Sequence, residues 1–510
     1  MSEFVIQRSN GFSRISFEEI EGRISLDKKK YSKNVICGFC DEISLDLIVQ
    51  YLACREAGGL PVFLSHPSVK TIPALFEERL ANWKRLGIGS FYSSFVNEPQ
   101  SALFPIENTK NCSFIQLSSG TTASQKGFGI SEATLTNQLE YYKNKLQLTK
   151  DSVIVSWLPV YHDMGLVTSV FLPLYVGCKS VIIPTFDWLS DYSLFFEAVN
   201  KFGGTHCWFP NFCFELYSRE CNISRLENEN FHIINCSETC RADSVNKFKK
   251  LYKCKISCCY AMAENVFAVS QSDDLEELDG ILNCGIPDGA NIELDAQNQI
   301  WISGNSLFDA LLQDGKLIPQ NKEKYNTGDV GVISKEKLYI VGRTKEIVKI
   351  FGKQIFLPDV DKEINDRISV HQGRVVSFGD LFCGSESLVV LYEANENYDK
   401  EIRETTFRLF GVTAKPSRVP DGILVKTSSG KISREKNKER YEKYKLLGEI
   451  VKEYGGIRIT FFSNLKSEGL LDSLTLMETV SKLFYQNKQK INWGIDFGSL
   501  DSVLSILELV

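Results

Sequence analysis

The stretch from Gln116 to Gly129, Gln-Leu-Ser-Ser-Gly-Thr-Thr-Ala-Ser-Gln-Lys-Gly-Phe-Gly, constrains the fold of this 510-residue chain most strongly. It lies between an apolar run that predicts a strand (112–117) and an amphipathic run that predicts a helix (131–146). The stretch combines the groups that wrap polyphosphate. These are hydroxyl donors, a lysine, and glycines such as Gly120 and Gly127 that let the backbone approach phosphate oxygens closely. The spacing is not that of a Walker loop, and the alternative is a plain polar surface loop. The candidate phosphate ligands are Ser118, Ser119, Gly120, Thr121, Thr122 and Lys126.

Two aromatic segments follow. The first, Ser156 to Gly165, offers Trp157 and Tyr161 as apolar walls with polar tips and the titratable pair His162 and Asp163. The second, Thr205 to Phe214, is a predicted strand-to-helix passage rich in aromatic residues. Its rings could line a pocket or, as the alternative, pack in the core. Its candidate pocket residues are Trp208, Asn211 and Phe212.

Five later motifs carry polar or charged side chains. Asn235 to Glu238 and Tyr260 to Asn265 combine polar side chains with a ring and a carboxylate, as a flat base and a hard cation require. Tyr325 to Asp329 ends in a carboxylate that can accept from two hydroxyls, and Gly342 to Glu346 contains a guanidinium. Lys426 to Arg434 places Lys431 in a glycine-serine loop, for which an exposed basic loop is the alternative.

In this order the motifs resemble the signatures of the adenylate-forming superfamily, which includes acyl-CoA synthetases, fatty acyl-AMP ligases and peptide-synthetase adenylation domains. The resemblance covers most of residues 51–434 and is nearest to fatty acyl-AMP ligases. It implies ATP and Mg²⁺ as ligands, with Glu264 and Thr122 at the metal and Lys345 as the hinge. The implied catalytic residues are Lys431, Lys126, His162 and Glu264. The implied acyl-pocket residues are Trp157, Trp208, Asn211 and Phe212. The implied nucleotide ligands are Ser118, Ser119, Gly120, Thr121, Thr122, Ser237, Glu238, Tyr260, Asp329 and Arg343.

The C-terminal stretch Glu468 to Leu474, followed by an amphipathic run (474–484), resembles the attachment site of acyl and peptidyl carrier proteins. A serine at a helix N-terminus exposes its hydroxyl where a phosphate is favoured, although Asp and Ser are also ordinary helix caps. The resemblance implies 4'-phosphopantetheine on Ser473. The implied partners are a phosphopantetheinyl transferase and downstream carrier-dependent enzymes.

Composition is ordinary, at 43% hydrophobic and 24% charged residues, and the net charge of -6 argues against a nucleic-acid partner. No run of about 18 uncharged apolar residues predicts a membrane span, and no signal-like start is present, so a cytoplasmic protein is expected. Fifteen cysteines, an odd number, predict reduced thiols in cores instead of a disulfide framework. Cys37 to Cys40 is the one CxxC motif, and a buried strand is expected there in preference to a zinc site.

Alternating apolar strands and helical stretches predict an α/β fold. The expected organisation is a large adenylation domain of layered sheets and helices (1–341) containing a small barrel near 282–341, and a small α+β lid (342–434). A charged linker (435–445) and a helical carrier bundle (446–510) complete it.

The predicted function is ATP-dependent activation of a carboxylic acid, fatty or otherwise apolar, to an acyl-adenylate, with transfer to a carrier thiol. Two alternatives stay open: an acyl-CoA synthetase that uses free CoA, and a non-catalytic scaffold that docks carriers. Fatty acyl-AMP ligases typically have a longer insertion than this chain has between Ser272 and Asn283, which favours the CoA alternative. Residues 123–125 also depart from the usual glycine-any-proline of the phosphate loop.

Overall fold

The computed structural model describes residues 2–67, 73–96, 105–108, 110–118, 125–219, 226–321, 323–350, 353–382, 385–426, 431–453, 459–465, 479, 482–483, 502–503 and 506–507. The chain divides into two compact units, 1–344 and 345–510. The boundary lies beside Lys345, the predicted hinge residue.

The first unit is an α/β assembly, as the alternating pattern predicts. Its strands are β1 (Glu3–Arg8), β2 (Gly11–Ser16), β3 (Ile36–Phe39), β4 (Leu60–Phe63), β5 (Ser90–Tyr92), β6 (Cys112–Leu117), β7 (Gly127–Ser131), β8 (Val153–Ser156), β9 (Lys179–Ile182), β10 (His206–Pro210), β11 (His232–Cys236), β12 (Lys255–Ala261), β13 (Ala268–Ser272), β14 (Glu277–Leu278), β15 (Ile281–Leu282), β16 (Asn291–Leu294), β17 (Gln299–Ser303), β18 (Ala310–Gln313), β19 (Lys316–Pro319), β20 (Tyr325–Ser334) and β21 (Lys337–Arg343). Its helices are α1 (Phe17–Asp27), α2 (Leu45–Glu56), α3 (Pro73–Arg85), α4 (Glu132–Leu146), α5 (Asp163–Leu166), α6 (Leu172–Val176), α7 (Thr185–Ser190), α8 (Ser193–Phe202), α9 (Asn211–Arg219) and α10 (Ala242–Lys249).

The largest sheet runs in the order β13-β12-β11-β10-β8-β9-β1-β2. Six adjacent strands, from β12 to β1, are parallel, and β13 and β2 pair antiparallel at the two edges. The inner strands are buried along almost their whole length, as expected for parallel strands that are covered on both faces. Serines cap the helices that begin at the predicted positions: Ser44 accepts from Leu47 N–H (3.1 Å), and Ser131 accepts from Thr134 N–H (3.3 Å).

Two four-stranded antiparallel arrangements lie in the first unit beside the large sheet. Strands β16, β17, β20 and β21 form one, while β18 and β19 extend the β6–β7 pair to form the other. The closed barrel predicted near 282–341 stays a prediction. The described cysteines are free, and all except Cys254 are buried, as expected of reduced core thiols. Cys37 lies in β3 and Cys40 directly follows it, in agreement with the predicted buried strand.

The second unit has an α+β core. It contains β22 (Ile347–Ile350), β23 (Lys353–Phe356), β24 (Val375–Phe382), β25 (Ser385–Glu393), β26 (Lys415–Val419), α11 (Leu357–Arg367), α12 (Asp399–Phe410) and α13 (Arg434–Glu453). The segment predicted as a charged linker, 435–445, lies inside the 20-residue helix α13. Leu447, Ile450 and Val451 of that helix pack in one cluster with the β24–β25 strands, so the charged residues occupy the outer part of a packed helix.

The same cluster includes described residues from the C-terminal stretch, such as Phe461, Leu483 and Val503. Ser473 and most of residues 466–501 lie outside the described residues. The carrier bundle at 446–510, and the domain division as a whole, stay predictions. Within the described part of the chain, no helix combines the length and apolar character that crossing a bilayer requires.

Candidate active site

The predicted site residues of the first unit follow the carboxyl ends of neighbouring parallel strands. Trp157 follows β8, Asn211 follows β10, Ser237 follows β11, and Glu264 lies on a short 3₁₀ turn after β12. Because parallel strands end at the same edge of a sheet, these loops converge. This edge is where open α/β sheets bind ligands.

Asp329, Tyr260 and Arg343 form a hydrogen-bonded group, which we call the Asp329 cluster. The Tyr260 hydroxyl donates to Asp329 Oδ2 (2.6 Å), and Arg343 Nε lies 3.1 Å from Asp329 Oδ1. Strands β20 and β21 create the ion pair, because they place Asp329 directly opposite Arg343 in antiparallel register. Burial raises the pKa of Asp329, and the Arg343 guanidinium and the Tyr260 hydroxyl oppose this shift. A carboxylate with one bond to each oxygen keeps lone pairs for further donors.

Glu264 lies in the same electrostatic environment. Burial raises the pKa of its carboxyl group, Arg343 opposes the shift, and the negative charges of Asp163 and Asp329 add to it. Its side chain accepts a long hydrogen bond from the Tyr325 hydroxyl (3.4 Å). Val266, directly after the turn, has φ +60°, an unusual conformation for a β-branched residue that fixes the path of this loop.

These carboxylates fit a magnesium ion. Mg²⁺ prefers carboxylate and phosphate oxygens, and Asp163 and Asp329 add negative charge at Glu264 that a cation would stabilise. Thr122, the other predicted metal ligand, lies outside the described residues, so the structure places Glu264 alone of the two.

Asn211 ties the loops together. Its Oδ1 accepts from Asn235 Nδ2 (3.0 Å) and from Arg241 N–H (3.0 Å), and its Nδ2 donates to Ser244 Oγ (3.3 Å). The next residue, Phe212, donates its N–H to Glu238 Oε2 (3.0 Å). The predicted acyl and adenine segments are therefore adjacent.

Ser237 has φ +76°, so the chain turns sharply where the β11 loop begins. Such a conformation is uncommon for a residue other than glycine, and residues of this kind cluster at functional sites. The turn sets the direction in which the Ser237–Glu238 segment leaves the sheet.

Aromatic rings form a wall beside Glu238. Trp157 stacks on Trp188 with ring centroids 3.6 Å apart and planes 8° from parallel, and the half-exposed Phe212 meets Trp157 edge-on at 6.2 Å. Trp208 lies elsewhere, because side chains alternate along a strand: its Nε1 donates to the Tyr142 hydroxyl (2.7 Å) on helix α4, and it is 1% exposed. Its assignment to an acyl pocket stays a prediction.

The predicted phosphate loop joins two antiparallel strands, β6 and β7, and the sequence patterns missed β7. Ser118 N–H donates to Lys126 O (2.9 Å), and Lys126 N–H donates to Ser118 Oγ (3.0 Å), which closes the base of the loop. Ser119, Gly120, Thr121 and Thr122 lie outside the described residues.

That Gly127 lets the backbone approach phosphate stays a prediction, and the structure gives this glycine a packing role. Gly127 lies within β7, where an added Cβ would come 2.9 Å from Leu312 Cβ. Packing against β18 explains this glycine.

The remaining predicted residues occupy separate places. His162 lies immediately before helix α5, with its ring 4.9 Å from that of Tyr161. Lys345 lies on a 3₁₀ turn at the unit boundary. Lys431 belongs to the second unit, and Ser473 lies outside the described residues.

Asp163 and Tyr325 are site residues that were not among the predicted ligands. Asp163 contributes negative charge at Glu264, and Tyr325 donates to Glu264. Both lie inside the quoted motifs, so their position next to predicted ligands in the sequence could have identified them.

Comparisons with known proteins agree with this geometry. The family model described as "AMP-binding enzyme" matches residues 70–308. "Probable long-chain-fatty-acid--AMP ligase FadD30" of Mycobacterium tuberculosis is 25% identical over 420 residues, which cover 66% of this chain and 71% of that protein. "Medium-chain-fatty-acid--[acyl-carrier-protein] ligase JamA" of Moorena producens is 22% identical over 404 residues, 65% of this chain and 68% of that protein.

A solved structure from a study of fatty acyl-adenylate ligases of E. coli and L. pneumophila has a similar fold. The TM-score is 0.74 at 20% identity, with 87% of this chain and 95% of that chain covered. The matched segment contains most of the site residues of the first unit, and ATP and magnesium are typical ligands of AMP-binding enzymes. The chain is therefore an adenylate-forming ligase, and just under half of it, residues 70–308, matches the model of AMP-binding enzymes.

Proposed function

We propose that this ligase activates a fatty or other apolar carboxylic acid as its acyl-adenylate and passes the acyl group to the phosphopantetheine thiol of a carrier. The observation that carries the proposal is the junction between Phe212 and Glu238. Their 3.0 Å hydrogen bond joins the aromatic wall to the segment proposed to hold adenine. An apolar acid and a nucleotide can therefore lie side by side.

In this proposal the Asp329 cluster holds the ribose. Asp329 accepts from the ribose hydroxyls with its remaining lone pairs, while Arg343 and Tyr260 keep the carboxylate ionised and oriented. Ser237 and Glu238 border the adenine. The loop closed by Ser118 and Lys126 receives the phosphates, together with Ser119, Gly120, Thr121 and Thr122.

The first chemical step needs charge stabilisation and positioning instead of a protein nucleophile. A carboxylate oxygen of the acid attacks the α-phosphorus, a new P–O bond forms, and the bond to the β-phosphate oxygen breaks as pyrophosphate leaves. Lys126 and Lys431 stabilise the negative charge that develops, and Glu264 with Thr122 would hold the metal. Mg²⁺, when bound, neutralises phosphate charge.

Acyl transfer completes the proposed reaction. The carrier thiol attacks the acyl carbonyl, a C–S bond forms, the C–O bond to AMP breaks, and the thiol proton passes to solvent or to His162. Lys345 is proposed as the hinge between the two steps. The names of FadD30 and JamA, a fatty-acid–AMP ligase and a fatty-acid–carrier ligase, support both the acid class and the acceptor.

The acceptor is proposed to be phosphopantetheine on Ser473 or on a partner carrier. Tethering an acceptor thiol raises its local concentration to about the millimolar range. One observation favours free CoA as a second candidate: only the short β14–β15 hairpin lies between β13 and Cys284. A typical fatty acyl-AMP ligase is longer there.

The test is intact-protein mass spectrometry. The protein is treated with a phosphopantetheinyl transferase and CoA, and then with ATP, Mg²⁺ and fatty acids of several lengths. A pantetheine adduct that is absent in Ser473→Ala, and that gains an acyl mass only with ATP, supports the proposal. If no adduct forms and acyl-CoA accumulates instead, the carrier assignment fails and the CoA function is correct.

A further inference from the structure

Lys431 lies on a hairpin whose two arms the structure describes. We call residues 424–426 the incoming arm, residues 431–433 the outgoing arm, and the two together the Lys431 hairpin. Lys426 and Ile432 pair as an antiparallel bridge, and Ser433 N–H donates to Val425 O (2.9 Å). Lys431 is thus adjacent to a paired residue, so the spacing of the arms sets where its side chain starts.

Asn437 binds both arms of this hairpin. It lies in the first turns of helix α13 and is fully buried. Its Oδ1 accepts from Val425 N–H (3.0 Å), while its Nδ2 donates to Val425 O (3.0 Å) and to Ser433 O (2.8 Å). One side-chain amide therefore acts as a strand partner for the incoming arm and is bonded to the outgoing arm at the same time.

The incoming arm is held from other directions as well. Leu424 N–H donates to Glu393 Oε1 (2.8 Å), and Arg374, which lies 3.5 Å from Glu393 Oε2, donates to Leu424 O (3.4 Å). On the helix side, Arg440 donates to Ile423 O (2.5 Å). The arm is therefore anchored at successive residues, and Asn437 connects it to the outgoing arm in addition to the direct Ser433–Val425 hydrogen bond.

Hydrogen bonding of this kind at a buried amide fixes position closely. Without the Asn437 side chain, Val425 N–H would lose its acceptor. Val425 O and Ser433 O would each lose one donor, in a buried site where water does not replace them. The arms would still be connected by the Ser433–Val425 bond, so the hairpin would loosen instead of unfolding. Misplacing a catalytic group by about 1 Å can lower a rate by about 100-fold.

We infer that Asn437 is a positioning residue for Lys431, which sets the reach of the lysine through the hairpin. This inference rests on the proposed function, in which Lys431 stabilises the transition state of adenylation. Among the described residues, the hydrogen bonds of the Asn437 side chain go to backbone groups, so its effect on the reaction passes through the hairpin.

The experiment measures the single-turnover rate of acyl-adenylate formation, and KM for ATP, in Asn437→Ala, Lys431→Ala and the double variant. The matched control is Asn365→Ala, since Asn365 also binds backbone in this unit: it donates to Asp361 O (2.7 Å) and accepts from Gly373 N–H (3.0 Å). Thermal unfolding of all variants reports general damage. Asn437→Asp, which keeps the acceptor for Val425 and loses both donors, replaces the alanine variant if that one does not fold.

The expected result is a rate about 10- to 100-fold lower in Asn437→Ala with an unchanged KM for ATP, a near-normal rate in Asn365→Ala, and no further loss when Asn437→Ala is added to Lys431→Ala. A normal rate in Asn437→Ala, an equal loss in Asn365→Ala, or additive losses in the double variant would overturn the inference. A normal rate in Lys431→Ala would also overturn it. That result alone would show that the proposed role of Lys431 has failed.

Discussion

Replacing Glu264 with Gln should stabilise the first unit in the absence of Mg²⁺ while it removes activity. The wild-type carboxylate is partly buried near Asp163 and Asp329, and its own backbone N–H, the Arg343 charge and a 3.4 Å hydrogen bond from Tyr325 offset only part of the pKa shift that burial causes. Glutamine keeps the shape of the side chain without the charge, so it removes the unfavourable interactions with Asp163 and Asp329. We therefore expect the free energy of unfolding at neutral pH to rise by about 1.4 kcal/mol for each unit by which folding raises the pKa of Glu264.

The sign follows from the direction of the pKa shift. Because the pKa of Glu264 in the folded protein is raised above 4.5, its ionised form is penalised by folding. The wild-type protein thus gains stability as pH falls through that raised pKa, and the advantage of the glutamine variant should vanish there. Urea unfolding of both proteins between neutral and acidic pH, with EDTA present, measures the difference.

Glu238→Gln is the matched control. Glu238 Oε2 accepts from Phe212 N–H at 3.0 Å, so its charge is compensated by a donor, and neutralising it should leave stability unchanged or slightly lower. Adenylation by Glu264→Gln should fall by about 100-fold, as expected when a group that stabilises transition-state charge is lost. A Glu264→Gln protein that is less stable than wild type at neutral pH would refute the electrostatic reasoning.

Three further predictions concern the same unit. Mg²⁺ affinity should weaken as pH falls toward the raised pKa of Glu264, because a proton competes with the cation; titration calorimetry with Mg²⁺ and a non-hydrolysable ATP analogue at several pH values measures this. Tyr260→Phe should lower the free energy of unfolding by about 1.5–3 kcal/mol, because it removes a 2.6 Å hydrogen bond to a buried carboxylate. Tyr325→Phe removes a 3.4 Å hydrogen bond and should lower the free energy of unfolding by less than half as much; urea unfolding measures both changes. Gly127→Ala should lower the free energy of unfolding by about 1–3 kcal/mol, because the added Cβ would collide with Leu312. Gly22→Ala should raise it by about 0.5–1 kcal/mol, because Gly22 lies in open space on helix α1. Equal effects of the two variants in thermal unfolding would contradict both assignments.

The sequence predicted the elements that local patterns encode. The strand at 112–117 has the predicted bounds, and the helices at 45–56 and 132–146 begin after the serines that cap them. Strand β7 was missed because Gly127 and Gly129 interrupt the apolar pattern, and the need for those glycines arises from neighbouring strands. The helix across the charged segment 435–445 was not predicted, because the apolar residues that pack helix α13 lie mainly after this segment.

The motifs predicted candidate site residues, but not how those residues contact one another. The bond between Tyr260 and Asp329 joins residues 69 positions apart, and the register of β20 and β21 decides which cation Asp329 meets. Trp208 shows the limit most plainly: its motif predicts a pocket residue, yet strand alternation directs its ring toward Tyr142. Such relations depend on tertiary packing, which local patterns do not encode.

The most direct test of the central claim is exchange of labelled pyrophosphate into ATP by the purified protein, with a panel of carboxylic acids of increasing chain length. The account predicts exchange that requires Mg²⁺ and an apolar acid, and that falls by about 100-fold in Glu264→Gln without loss of fold. Exchange that persists in Glu264→Gln, or its absence with every fatty acid while the protein still binds ATP, would contradict the account.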